Sequence, residues 1–176
     1  MLNLEKNFFK KRILIYGLGK SGLSTYSFLK KSNAISLFDD QIMAKKKIKD
    51  TYTTYKEITK KEFDCIIISP GIDINKCKLS RFLKKNHKKI YTDLDIFYSR
   101  YAFNQKITIT GTNGKSTTAK LLYDILKDQK KDVRLVGNIG NPILLEKKIK
   151  KDTLFVIEAS SYQLEYSRLF KTNISI

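Results

Sequence analysis

The sequence predicts an α/β protein of parallel strands: a Rossmann-like N-terminal domain followed by part of a P-loop NTPase-like central domain. Three observations carry this. Short aliphatic or β-branched runs repeatedly break into glycine turns and then into amphipathic stretches, which is the order of βα units. Gly17-Leu18-Gly19-Lys20-Ser21-Gly22 follows the first such run, as a GxGxxG turn should. Gly111-Thr112-Asn113-Gly114-Lys115-Ser116-Thr117 follows Ile107-Thr108-Ile109 and reads as a strand, a phosphate-cradling loop and a helix start.

Composition bounds the answer. The chain has 176 residues, 41% of them hydrophobic, enough for one ordinary domain or one and a half small ones with a buried core. No apolar run approaches the roughly 20 residues that span a bilayer, and Met1 to Arg12 lacks the apolar centre of a signal peptide. The reading is a cytoplasmic protein with no membrane insertion. Cys65 and Cys77 have no metal-ligand spacing and suit a reducing compartment. The formal charge of +18 would ordinarily suggest nucleic acid. Here the lysines are dispersed in short pairs and triplets such as Lys10-Lys11, Lys45 to Lys47 and Lys130-Lys131, without an interleaved aromatic motif, so they read as solvated faces and no nucleic-acid partner is expected.

Taken in order, Arg12 to Tyr16 is a strand entering the first glycine turn, and Leu23 to Lys31 has helical spacing. Ala34 to Phe38 is the second strand. It ends at Asp39, twenty residues beyond Gly19, where an acid suits a ribose or a base. On these residues alone NAD stays possible. Gln41 to Lys61 reads as a lysine-rich helix and a short β-branched piece at Tyr52 to Tyr55. Asp64 to Ser69 is a buried strand that stops at Ser69-Pro70-Gly71-Ile72, on the same sheet edge as Gly17 to Gly22 if the strands are parallel. Leu79 to Lys85 is a helix and Ile90-Tyr91 a short strand. A last helix runs from Asp93 to Phe103 with Thr92 or Asp93 as its N-cap. Lone His87, among lysines, reads as a surface residue. The polar link Asn104-Gln105 divides domain 1–104 from domain 105–176.

In the second domain, Leu121 with Ile125 and Leu122 with Leu126 predict a helix from about Lys115 to Lys127. Lys115 is placed to neutralise phosphate and Ser116 to hold Mg²⁺. The loop is a compact variant, because the glycine expected five residues before Gly114 is Ile109. Val133 to Val136 is a strand opening into Gly137-Asn138-Ile139-Gly140. Thr153 to Ile157 is another, ending in Glu158, where P-loop enzymes put a second Mg²⁺ contact. Asn173 to Ile176 reads as the beginning of one more strand.

Gly-Thr-Asn-Gly-Lys-Ser-Thr at 111–117, Gly-Asn-Ile-Gly at 137–140 and Glu-Ala-Ser-Ser-Tyr-Gln-Leu-Glu at 158–165 stand in that order. They come behind Gly-Leu-Gly-Lys-Ser-Gly-Leu-Ser at 17–24 and Ser-Pro-Gly-Ile at 69–72, and together they resemble the muramyl (Mur) ligases along essentially the whole chain. Ser-Ser-Tyr-Gln-Leu points to the branch that adds D-glutamate. The resemblance implies ATP-dependent amide formation in peptidoglycan synthesis through an acyl phosphate, with UDP-N-acetylmuramoyl-L-alanine and D-glutamate as substrates, by a monomer. It implies that Gly111, Thr112, Asn113, Gly114, Lys115, Ser116 and Thr117 hold ATP, that Lys115 and Glu158 are catalytic, and that Ser116 and Glu158 ligate Mg²⁺. Gly17, Gly19, Lys20, Ser21, Asp39, Ser69, Pro70, Gly71, Asn138 and Ser160 would meet the UDP-muramoyl substrate. Where relatives carry a hydroxyl or basic group just after the acid, this sequence has Asp40 and Gln41. Family members continue past the position of Ile176 with a histidine Mg²⁺ ligand, a carbamylated lysine and a C-terminal ligase domain. The chain is therefore expected to lack that domain and to be inactive alone, with a UDP-sugar- or NAD-binding module as the alternative role.

Overall fold

The structure is a computed structural model that describes residues 7–41 and 52–176. Its first sheet contains β1 (Arg12–Tyr16), β2 (Ala34–Phe38), β3 (Cys65–Ile68) and β4 (Ile90–Tyr91), all parallel, in the order β2-β1-β3-β4. The second contains β5 (Lys106–Ile109), β6 (Val133–Gly137), β7 (Leu154–Glu158) and β8 (Ile174–Ser175), also parallel, in the order β6-β7-β5-β8. The expected α/β class with parallel sheets is what the chain adopts, and the strand anticipated near its C-terminal end is β8. Strands buried on both faces read as uninterrupted apolar runs; β3, Cys-Ile-Ile-Ile, is buried at every position.

The helices are α1 (Lys20–Leu29), α2 (Tyr55–Lys60), α3 (Ser80–Lys85), α4 (Asp93–Arg100), α5 (Lys115–Asp128) and α6 (Ser161–Tyr166). Three differ from the sequence reading in limits or type, and α6 has no counterpart in it. α1 begins at Lys20 and not Leu23, so Gly22 lies inside its first turn. A Cβ on Gly22 would sit 1.8 Å from the Gly17 carbonyl oxygen, so only glycine lets the helix approach the strand end this closely. The β-branched piece at Tyr52 to Tyr55 reduces to a single bridge between Leu37 and Tyr52, and Tyr55 opens α2. There the Thr54 hydroxyl accepts from Glu57 N–H while the Glu57 carboxylate accepts from Thr54 N–H, a capping box that overrides strand propensity. α4 ends at Arg100 and not Phe103. The lysine-rich helix expected after Gln41 falls at 42–51, outside the described residues. No helix among the described residues is long and apolar enough to cross a membrane.

One continuous hydrophobic cluster joins the two sheets. Ile13, Ile15 and Ile67 of the first and Val136, Phe155 and Ile157 of the second share it with Leu94, Ile96 and Phe97 of α4. The Phe97 ring meets Phe155 edge-on at 4.8 Å between centroids. This favourable aromatic geometry makes α4 the wedge between the layers.

Candidate active site: a phosphate loop facing a strand-end carboxylate

Two loop clusters lie at the C-terminal ends of the two sheets. In the first, strand order reverses on either side of β1, so the crevice between β1 and β3 is where an open α/β sheet receives ligands. Gly17 follows β1 and Ser69 follows β3. Their strands are clamped at that crevice, the Ser69 hydroxyl donating to the Gly17 carbonyl at 2.7 Å. Asp39, at the end of β2, accepts from Leu18 N–H at 2.5 Å and from Gln41 N–H at 2.8 Å. Its carboxylate thus fixes the glycine turn from one side, leaving the Lys20 side chain exposed at the start of α1. Pro70 is half-buried and Gly71 exposed beside the same crevice.

Asp40 has partners of its own. It accepts from the Tyr16 hydroxyl at 2.8 Å, and its backbone carbonyl accepts from Lys78 Nζ at 2.8 Å. Burial raises the Tyr16 phenol far above its ordinary value, and hydrogen bonding to Cys77 and Asp40 adds to the effect. Tyr16 therefore stays a neutral donor across the working pH range, and Asp40 has a structural partner that its sequence position did not disclose.

In the second cluster, β5 feeds Gly111 to Gly114, all exposed, and α5 starts at Lys115. Gly114 takes φ +78° as the N-cap of α5, in the left-handed region where a Cβ is strained. Lys115 folds back on the loop, Nζ donating to the carbonyls of Gly111 at 2.6 Å and Thr112 at 3.2 Å. Thr112, Asn113 and Thr117 remain exposed around it. β7 lies beside β5 with Glu158 opposite Ile109, so the strand that launches the loop and the strand that ends in the acid are direct neighbours. The Ser116 hydroxyl donates to Glu158 at 2.8 Å, across 42 residues of sequence. Glu158 is only 5% exposed, whereas Ser116 is open to solvent. Asn138 touches the same strand end through its backbone, its N–H donating to the Glu158 carbonyl at 3.0 Å.

A hydroxyl and a carboxylate are hard oxygen donors of the kind Mg²⁺ takes, usually alongside phosphate oxygens and water. Among the described residues no group of three or more His, Cys, Asp or Glu side chains gathers as a metal site. The donor set therefore fits a cation shared with phosphate better than a closed protein cage.

Ser160 and Ser21, both anticipated at the substrate, already have partners. The Ser160 hydroxyl caps α6, accepting from Gln163 N–H at 3.2 Å, and Ser160 N–H donates to Gln163 Oε1 at 3.0 Å. The Ser21 hydroxyl donates to Asp93 at 2.5 Å. Asp93, read from sequence only as a helix cap, is 4% exposed and also accepts from Gln163 Nε2 at 3.0 Å. Burial pushes its carboxyl up, against the pull of these donors. Two acids in the first turn of one helix, Asp93 and Asp95, were the available signal; the partners of Asp93, 70 or more residues away, were not readable.

A GxGxxG turn on one parallel sheet and a Gly-Lys-Ser loop paired with a strand-end acid on the next are the loop arrangements by which α/β folds commonly receive nucleotides and phosphates. Comparison with known families makes this specific. Residues 11–90 match the Mur ligase MurD-like N-terminal domain and residues 109–176 the Mur ligase middle domain. The chain belongs to the Mur ligase family. It is similar to UDP-N-acetylmuramoylalanine–D-glutamate ligases: 35% identical over 181 residues to that of Caldicellulosiruptor bescii, covering 93% of this chain and 38% of the relative. It is 37% identical over 182 residues to that of Wolbachia pipientis wMel, covering 99% and 35%. The Wolbachia enzyme from Brugia malayi is 40% identical over 166 residues, covering 87% and 32%. The chain thus spans about a third of the length of these relatives. A solved murein peptide ligase from Psychrobacter arcticus aligns with a TM-score of 0.46 at 16% identity over 84% of this chain and 37% of its own.

Proposed function

We propose that this chain carries the UDP-substrate site and the nucleotide phosphate loop of an ATP-dependent ligase that joins D-glutamate to UDP-N-acetylmuramoyl-L-alanine in the cytoplasm. The observation that carries the reading is the Ser116–Glu158 pair at 2.8 Å on neighbouring strand ends, directly behind a Gly-Lys-Ser loop. In this reading Gly111 to Thr117 enclose the ATP phosphates. Lys115 exchanges its two backbone carbonyl partners for phosphate oxygens. Ser116 and Glu158 would hold Mg²⁺, which when bound offsets the negative charge that builds as a carboxylate attacks the γ-phosphate.

The crevice between Gly17 and Ser69 takes the UDP moiety, with Gly19, Lys20, Asp39, Pro70 and Gly71 around it and Asn138 and Ser160 toward the muramoyl end. Lys115 acts by position and charge, since phosphoryl transfer asks mainly for orientation and stabilisation of developing anionic charge. Ser21 and Ser160 contribute through backbone placement as much as through their hydroxyls, because both hydroxyls are engaged. We place the domain boundary at 104/105 and expect a monomer without nucleic-acid partners.

Calorimetric titration of the chain with UDP-N-acetylmuramoyl-L-alanine, NAD, and ADP with Mg²⁺ tests the reading. Micromolar binding of the first and third is the expected result. Preferential binding of NAD would replace it with a dinucleotide-binding module. D-glutamate-dependent ADP release by the purified chain would show that the ligase activity resides in these residues alone.

A further inference from the structure

A hydrogen-bond chain through one carboxylate runs from the glycine turn to Ser160, two residues past the acid of the phosphate-loop cluster. Asp93, in the first turn of α4, accepts from the Ser21 hydroxyl of the glycine turn on one oxygen and from Gln163 Nε2 of α6 on the other. Gln163 in turn uses Oε1 to accept from Ser160 N–H and its own N–H to donate to Ser160 Oγ. Ser160 lies two residues beyond Glu158, the acid paired with Ser116. Thr92, the N-cap of the same helix, shares a 2.7 Å hydrogen bond with the Ser167 hydroxyl just after α6. Asp93 has no salt-bridge partner within 4 Å among the described residues, and it is 4% exposed. A buried carboxylate without a counter-ion is costly unless its hydrogen bonds are complete. Both oxygens are filled here, by side chains from α1 and α6, helices that follow strands of two different sheets.

We propose that Asp93 is a positioning residue that couples the glycine turn of the UDP crevice to the Ser160–Gln163 turn beside the phosphate loop, so that each site's geometry depends on the other's. The proposal rests on the ligand assignment above for its binding readout. Gln163, 2% exposed, borders the Ser69-Pro70 turn, and direct contact between Gln163 and UDP is the competing account that the test has to reject. The two cases separate in a mutant cycle. If Gln163 acts through Asp93, its truncation costs nothing further once Asp93 is gone; if it touches UDP, the losses multiply.

The experiment uses the full 176-residue chain, with UDP as the titrant. Asp93→Ala is expected to weaken UDP by about fivefold or more, the lower end of typical coupling between sites. Gln163→Ala is expected to weaken it to a similar degree, with the double variant no worse than Asp93→Ala. Asp93→Asn should restore affinity to within about twofold, because its amide can accept from Gln163 and donate to the rotatable Ser21 hydroxyl. Multiplying losses in the double variant, or an Asn variant as impaired as the Ala variant, would overturn the proposal. If Asp93→Ala does not fold, the comparison of Asp93→Asn with Gln163→Ala carries the test, and a Gln163→Ala variant with wild-type affinity for UDP overturns it. If the wild-type chain binds no UDP, it is the ligand assignment that fails. The coupling is then read from urea midpoints of Ser21→Ala, Gln163→Ala and their combination, where strictly additive shifts would overturn it.

Discussion

Asp95 offers the most direct test of how the two sheets are held together. Its carboxylate is fully buried. One oxygen accepts backbone N–H groups from Arg168 at 2.8 Å, Leu169 at 2.7 Å and Phe170 at 3.1 Å; the other accepts Thr92 N–H at 2.9 Å. Asp95→Ala strands four donors. A buried donor left unpaired costs about 1–3 kcal/mol. Thr92 is 1% exposed and belongs at the upper end, whereas the segment 168–170 is half-buried or exposed, so water can reach it. Against this loss stands the relief of no longer burying a carboxylate without a counter-ion, worth a few kcal/mol at most. The net expectation is a destabilisation of about 3 kcal/mol for Asp95→Ala. Asp95→Asn should lose about 1–2 kcal/mol, because its carbonyl can keep the three donors of 168–170 while its amide opposes Thr92 N–H. Urea unfolding followed by circular dichroism measures both. An alanine variant within about 0.5 kcal/mol of wild type, or an asparagine variant as damaged as alanine, would refute the clamp.

Other expectations follow from single sites. Lys106 is 1% exposed, donates Nζ to the carbonyls of Ala102 and Asn104, and is lowered to about 8 by burial. Between pH 8 and its unfolded value near 10.5 the unfolded chain holds the extra proton, so stability from this group rises with pH across that window. Wild type should therefore gain on Lys106→Met between pH 7 and pH 10, by up to about 3 kcal/mol, and a difference that stays flat over that range would count against it. Glu158→Gln keeps a partner for Ser116 but removes the charge; calorimetry with ADP should show Mg²⁺-dependent binding weakened about tenfold or more, with the urea midpoint little changed. Equal affinity in the two proteins would exclude Glu158 from the cation site. Gly22→Ala puts a methyl 1.8 Å from the Gly17 carbonyl, so α1 must shift; UDP binding should fall several-fold, and unchanged UDP affinity would show that the glycine turn does not shape that crevice.

The strands were legible because burial on both faces writes itself as apolar runs: β1, β2, β3, β5 and β7 all fall within a residue or so of where the sequence puts them. Helix limits were less so. Gly22 looked like the end of a turn because glycine is poor inside helices, and only its contact with Gly17 explains why a helix turn is placed there. Tyr52 to Tyr55 has strand composition, and the Thr54–Glu57 capping box decides it locally. Ser116 with Glu158 was foreseeable because a P-loop strand and its neighbour have a fixed topology. Ser21 with Asp93 was not, since nothing in either local pattern states that residues 72 apart will meet.

The polar and apolar halves of α4 divide the work of joining the sheets. Leu94, Ile96 and Phe97 lie in the common core, and such contacts supply adhesion that is proportional to area and indifferent to small rotations. Asp93 and Asp95 supply what area cannot: each accepts from donors at fixed places in the 160–170 segment, with the glycine turn adding one to Asp93 and Thr92 N–H one to Asp95. A buried carboxylate contributes little net stability but penalises every arrangement in which its donors are misplaced. Replacing Phe97 with alanine should then cost stability, about 3–5 kcal/mol, while leaving the relative affinity for UDP and ADP intact in whatever remains folded. Truncating Asp93 should instead disturb those affinities. The opposite pattern, ligand affinity sensitive to Phe97 and indifferent to Asp93, would mean that packing alone sets the register between the two sheets.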